Sequence, residues 1–326
     1  MTNLGDLKRL AKHAFASSLG WRVAGPLLRA PGVIVLMYHR INGPDRSMRG
    51  LPVEDFAAQM RWLRDNCDLI APEAVMERAQ RPTRLRPAVL ITFDDGYRDY
   101  HDWAYPVLKQ LGIPSLVFLA TSFIDQGGMI WTEEVQSAAL ATRLPRVSLP
   151  WSDEPAVDLP DEPARAALGL RARTYLKTLP DADRQKAVQE LFVALGMPPV
   201  RERQMLNWDE VRRTMDLTTY GGHTHTHPIL SRLDRAGAER EIKTCRDRIT
   251  QETGRAPTLF AYPNGTAADF TGETKELLQE AGFTVAFSTI EGIAGADSDW
   301  MAVKRLPGAG RDVPDFVWIA AGLARS

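Results

Sequence analysis

Cysteine is almost absent from this chain. Cys67 and Cys245 are the only two in 326 residues, too few for a disulfide framework, and without a CxxC or Cys/His pairing there is no basis for a structural zinc ribbon. A surplus of either charge is missing too. Forty Lys and Arg stand against 41 Asp and Glu, for a net charge of -1, which excludes generic electrostatic capture of nucleic acid as the main activity. Long hydrophobic runs are also lacking. The longest early one, Val33 to Tyr38, is too short to span a bilayer and has no small-residue cleavage site behind it. The expectation is an unprocessed, cytoplasmic protein. With 44% hydrophobic and 25% charged residues it is neither disordered nor fibrous, and its length allows one large α/β domain or two ordinary ones.

The first 30 residues form a basic leader. Lys8, Arg9, Lys12, Arg22 and Arg29 alternate with Leu4, Leu7, Leu10, Phe15, Leu19 and Trp21. Such a helix can pack its apolar stripe on the protein body or lie on anionic headgroups, so peripheral membrane contact through residues 1–30 stays open. Residues 31–326 then alternate short apolar runs with helical periodicity. Strands are predicted at Val33 to His39, Ala88 to Asp95, Ser115 to Thr121, Thr258 to Tyr262, Thr284 to Ser288 and Met301 to Leu306. Helices are predicted at Val53 to Asn66, Asp99 to Leu111, Gly272 to Ala281 and Val313 to Leu323. Repeated β-then-α order implies an α/β fold with a mostly parallel sheet or barrel under a layer of helices. The stretch from Gly127 to Leu217 interrupts the rhythm: its first half, crowded with Pro145, Pro150, Pro155, Pro160 and Pro163, reads as a loop or lid, and its second half as helical. A long excursion of this kind either caps a substrate cleft or decorates the surface.

Three strand ends carry unusual chemistry. Ile91 to Tyr97 runs from a hydrophobic strand into Asp94, Asp95 and Gly96, and a turn at Gly96 can bring both carboxylates to one mouth. Read alone, Asp-Asp-Gly is also an ordinary turn or cap sequence. Gly221 to Pro228 holds half of the six histidines, His223, His225 and His227. Helical or turn geometry would pair His223 with His227, an extended strand would align all three, and either arrangement suits a divalent metal, to which Asp95 could add a carboxylate. Phe260 to Gly265 ends a third strand in Pro-Asn-Gly.

In this order, the three motifs resemble the polysaccharide deacetylase family, also called the NodB-homology or carbohydrate esterase 4 family. TFDDG at Thr92 to Gly96, H-[ST]-x-x-H at His223 to His227, the proline-containing strand end at Phe260 to Gly265, and an opening Leu36-Met37-Tyr38-His39-Arg40 carry the likeness, which runs from about Val33 to Pro307. The resemblance implies a distorted (β/α) barrel of the NodB-homology type, here with a long insertion. It implies Asp94 as general base and Asp95, His223 and His227 as ligands of a divalent metal, zinc by the ligand set, with no role for His225. The Tyr97 N–H would face the oxyanion, and Thr224, Tyr262, Pro263 and Arg305 would support the ligands or the substrate.

The implied activity is metal-dependent removal of N-acetyl groups from an amino sugar in a polysaccharide or glycan precursor. Two alternatives are hydrolysis of a non-glycan amide or ester and a non-catalytic carbohydrate-binding relic. The sequence departs from the family twice. Ala261 and Tyr262 stand where an arginine often precedes the proline, so Arg305 or Lys304 would have to replace it. No histidine follows His227, so either another residue donates the proton or the protein is slow or silent. His39, at the end of the first strand, is placed to be that acid, or else to fix the loop from Arg40 to Pro44, with His225 or a water-bridged carboxylate as the next candidate.

Overall fold

The computed structural model describes residues 20–21, 23, 31–44, 50–82, 86–152, 155–197, 203–308 and 313–320. Most of the basic leader lies outside these. Trp21 is described: it is buried edge-on against Trp62 and donates its indole N–H to the Asn66 carbonyl. Among the described residues no helix is long and apolar enough to cross a membrane.

Two compact units are present, residues 1–125 with 205–326, and residues 126–204. The first is built on seven strands: β1 (Val33–Tyr38), β2 (Ala88–Phe93), β3 (Ser115–Leu119), β4 (Thr218–Gly222), β5 (Leu259–Ala261), β6 (Val285–Glu291) and β7 (Val303–Pro307). They run parallel in the order β1-β7-β6-β5-β4-β3-β2, and β2 pairs back onto β1 from Val33↔Ala88 to Tyr38↔Phe93, which closes the barrel. The closure is uneven. The first residues of β2 pair with a two-residue strand, Asp68–Leu69, and only Thr92 and Phe93 reach β3. This wedge is the distortion expected of the fold.

Alternation along the strands decides what the barrel contains. Val33, Val35, Ala88, Leu90, Leu116, Phe118, Leu259, Ala261, Val285, Phe287 and Val303 form one buried cluster, whereas Phe260 and Ala286 pack in another with Leu277 and Leu278 of the helix Gly272–Glu280. Both strand faces are covered, which is why the strands read as unbroken apolar runs. The inward phase then continues past the apolar residues to His39, Asp94 and Arg305, so the same periodicity that fills the barrel delivers polar groups to it. The predicted helix Val53–Asn66 is present, with Phe56, Met60 and Leu63 buried. The helix predicted at Asp99 to Leu111 is a π-helical turn at Tyr100–Ala104 followed by the helix Tyr105–Leu111, which ends in a left-handed C-cap at Gly112.

The second unit has its own core, with Leu168, Ala172, Leu176, Leu191 and Phe192 at its centre. Its helices are Trp131–Ala141, Glu162–Leu176 and Asp181–Ala194, and a small hairpin pairs Arg146–Val147 with Val157–Asp158. The predicted loop-like first half therefore contains a helix. Val135, Ala138 and Ala139 give Trp131–Ala141 an apolar face, and the chain reaches its prolines only after that helix has ended. The unit stops at Gln204, short of Leu217, because Trp208–Thr214 belongs to the barrel unit: Arg212 pairs there with Glu252.

Candidate active site

Asp94 leaves β2 on its inward phase and is met by Arg305 from β7. The guanidinium grips both carboxylate oxygens, Nη1 to Oδ1 and Nη2 to Oδ2 at 2.7 Å each, while its Nε donates to the Ser288 carbonyl at 2.8 Å. Both side chains are almost completely buried. Burial alone would raise the Asp94 pKa, but the charge and hydrogen bonds of Arg305 outweigh it and hold the carboxyl below its ordinary value. Of the two cations proposed to stand in for the missing arginine, Arg305 does so and Lys304 lies exposed. His39 Nε2 sits 3.8 Å from Asp94 Oδ2 with its side chain 46% exposed, so it can reach both the buried carboxylate and solvent.

Asp95 turns the other way because the backbone reverses on it. It has φ of +77°, and Gly96 N–H donates to the Asp94 carbonyl, closing a three-residue turn. The reversal was expected from Gly96, yet Asp95 itself occupies the left-handed region. Gly96 follows at φ +85°, where a Cβ would come within 2.8 Å of Leu119. Left-handed conformations also occur at Thr224 (+64°) and His227 (+58°). Non-glycine residues held so cost roughly 1–3 kcal/mol each and cluster at functional sites.

These reversals bring Asp95, His223 and His227 together. Asp95 Oδ1 is 3.3 Å from the Nε2 atom of each histidine, and one donor atom from each residue lies within 4.8 Å of the others. His223 Nδ1 is 2.7 Å from the Ala261 carbonyl, an acceptor, so Nδ1 carries the proton and a neutral His223 turns a lone pair toward Asp95. Acceptors facing one another in a buried pocket call for a cation, and two imidazoles with one carboxylate are the donor set of a divalent metal. In the protein alone, burial would raise the Asp95 pKa, but hydrogen bonds from both histidines hold it well below the ordinary value. Burial would lower the His223 pKa, yet Asp95 and Asp94 raise it. At His227 burial prevails and lowers it.

The Thr224 hydroxyl donates to the His223 carbonyl at 2.5 Å and accepts the His227 N–H at 3.1 Å, bracing the histidine turn. His225 faces away, its Nδ1 on the Thr121 hydroxyl at 2.9 Å. The Tyr97 ring lies 4.1 Å under the Arg40 guanidinium, and Arg40 Nε donates to Asp99 at 2.6 Å. Pro263 opens a tight turn whose carbonyl accepts from Gly265.

Tyr262 is the misplaced expectation. Its ring stacks on Phe270 and its hydroxyl donates to the Met301 carbonyl, within the outer core rather than at the mouth, because with Ala261 facing inward the next residue must face out. The sequence reading also passed over Glu241, which binds the histidine turn from the helix Arg235–Thr253. Nothing distinguishes it from the other charged residues of that helix.

Comparison with other proteins bears on the family and the fold. The sequence model of the family "Polysaccharide deacetylase" matches residues 81–146 and 172–286. Over 107 residues the chain is 37% identical to the putative polysaccharide deacetylase YxkH of Bacillus subtilis, a match covering 32% of this chain and 38% of that protein. Over 98 residues it is 28% identical to the poly-β-1,6-N-acetyl-D-glucosamine N-deacetylase of Escherichia coli K12, covering 29% of this chain and 15% of the relative. The matches thus span well under half of either relative. Among solved structures, IcaB from Ammonifex degensii superposes with a TM-score of 0.58 at 20% identity, over 91% of this chain and 99% of that one. The Streptococcus pyogenes deacetylase PplD in complex with acetate gives 0.58 at 16% identity, over 90% and 99%. These two share the fold, and the family match spans more than half of the sequence: the chain belongs to the polysaccharide deacetylase family.

Proposed function

We propose that this protein is a divalent-metal-dependent hydrolase that removes N-acetyl groups from an amino sugar in a polysaccharide or glycan precursor. The observation that carries the reading is a buried, arginine-held carboxylate, Asp94, beside the convergent oxygen and nitrogens of Asp95, His223 and His227. A divalent cation held by those three residues would acidify a water and polarise the acyl oxygen, the two things an unactivated amide lacks. Zinc suits the donor set. The choice of an N-acetyl sugar draws on the likeness to the E. coli poly-β-1,6-N-acetyl-D-glucosamine N-deacetylase.

The chain's own groups account for the protons. Arg305 occupies one lone pair on each Asp94 oxygen, leaving Oδ2 free on its His39 side to take the proton of the attacking water. The tether lowers basicity but fixes direction. The Tyr97 N–H, next after the Asp94–Gly96 turn, is assigned to the developing oxyanion. As the C–N bond breaks, His39 donates its proton to the leaving amine.

Acetate release from N-acetyl and O-acetyl oligosaccharides, with and without a chelator, tests the reading. Release from the N-acetyl substrates that stops on chelation supports it, and activity indifferent to chelation overturns it. Protein purified without added metal should carry about one equivalent, as a mononuclear site requires. Elemental analysis of His223→Ala/His227→Ala should then find almost none, and undiminished content would remove both histidines from the site. For His39→Gln, turnover should fall by about 10²-fold or more. Unchanged turnover in the folded variant would assign the acid elsewhere.

A further inference from the structure

The turn that presents the two histidines is held from both sides. On one side the carbonyls of Thr224 and His225 accept from the N–H groups of Thr121 and Ser122, at 3.3 and 2.9 Å. On the other, the amides of His225 and Thr226 point together at a single oxygen, Glu241 Oε2, each at 2.8 Å, while the Thr226 hydroxyl donates to Oε1 at 2.7 Å. Two successive amides turned to one side, next to left-handed Thr224 and His227, make a concave backbone nest of the kind that binds anions. Here the anion comes from the chain itself. Glu241 sits on the helix Arg235–Thr253 between the buried residues Ala238 and Ile242. That helix is also pinned to the barrel: Cys245 donates to the Leu119 carbonyl, the same carbonyl that accepts the His223 N–H. Among the described residues no lysine or arginine forms an ion pair with Glu241, so its carboxylate serves the turn.

We propose that Glu241 is a positioning residue for the metal centre, its two oxygens gathering the His225 and Thr226 donors so that His223 and His227 stay at the separation one cation requires. The inference rests on the reading of Asp95, His223 and His227 as metal ligands. Glu241 acts through geometry and reach, and this separates two conservative substitutions. Glu241→Asp keeps the charge but is one methylene too short to meet both amides and the hydroxyl. Glu241→Gln loses the charge but keeps the shape: its amide oxygen can accept both N–H groups, while its NH2 donates to the Thr226 hydroxyl, which serves equally as an acceptor.

The test is Zn2+ affinity, measured on the metal-free full chain by competition with a chromophoric chelator, beside the thermal unfolding of the same metal-free samples. Glu241→Asp should bind Zn2+ about 10–100-fold more weakly, as removal of supporting contacts around metal ligands does, with its metal-free Tm near that of wild type. Glu241→Gln should recover most of the affinity. Wild-type affinity in Glu241→Asp, equal weakness in the two variants, or a loss of Zn2+ binding that only follows collapse of the metal-free fold would each overturn the proposal. Failure of the wild-type chain itself to bind Zn2+ would instead remove the underlying metal assignment, a result read in the same titration.

Discussion

Replacing Arg305 with Met should destabilise the protein by about 3–5 kcal/mol, the usual consequence of leaving one buried charge without its partner. Asp94 would lose both of its 2.7 Å bonds while staying buried. The pH dependence of stability should change sign as well. In the wild type, the folded-state pKa of Asp94 lies below its ordinary value, so its contribution is present above about pH 4, the unfolded carboxyl value, and is lost as pH falls through the folded value. In Arg305→Met, burial acts without its main opponent and the folded pKa rises, so stability falls as pH climbs from about 4 toward neutrality. Urea unfolding in chelator between pH 4 and 8 would show this as an Asp94 contribution that stays level in the wild type and declines with pH in the variant. Parallel slopes for the two proteins would mean that Arg305 does not govern Asp94. The double variant Asp94→Leu/Arg305→Met should regain most of the lost stability, since an apolar pair needs no desolvation of charge.

Asp94→Asn should lose about 10²–10⁴-fold in turnover, the range for removing a general base, while keeping its metal, because the proposed ligands are Asp95, His223 and His227. The substitution also has a structural cost. An amide NH2 would face one Arg305 nitrogen, donor against donor, and the guanidinium would be left buried with a neutral partner. A fall in Tm without loss of metal is therefore expected beside the loss of activity. Wild-type turnover in a folded, metal-loaded Asp94→Asn would reduce Asp94 to a structural role.

How much of this could be read in advance depended on whether a residue's setting was local. Asp94, Asp95, His223 and His227 stand out because charged or metal-binding groups end otherwise apolar strands, and the left-handed turns that converge them are built within a few residues of each. Arg305 could be narrowed only to a pair with Lys304, since which of two adjacent residues faces into a barrel depends on how the sheet closes. The misplacement of Tyr262 was avoidable by carrying the inward phase of Ala261 one residue further. The helix Trp131–Ala141 was hidden by the prolines that follow it. Glu241 had no local sign at all, because its partners lie 15 and 16 residues back on another element.

The tether between Asp94 and Arg305 also has a schedule. Its two ends are 211 residues apart, and at roughly 5–20 residues per second of synthesis the arginine follows the aspartate by about 10–40 s. All three proposed metal ligands are made within that interval, before β7 exists. Throughout that interval Asp94 lacks the group that lets it be buried in ionised form, and the barrel seam between β1 and β7 remains unsealed. The last strand thus completes the sheet and the charge balance in one event.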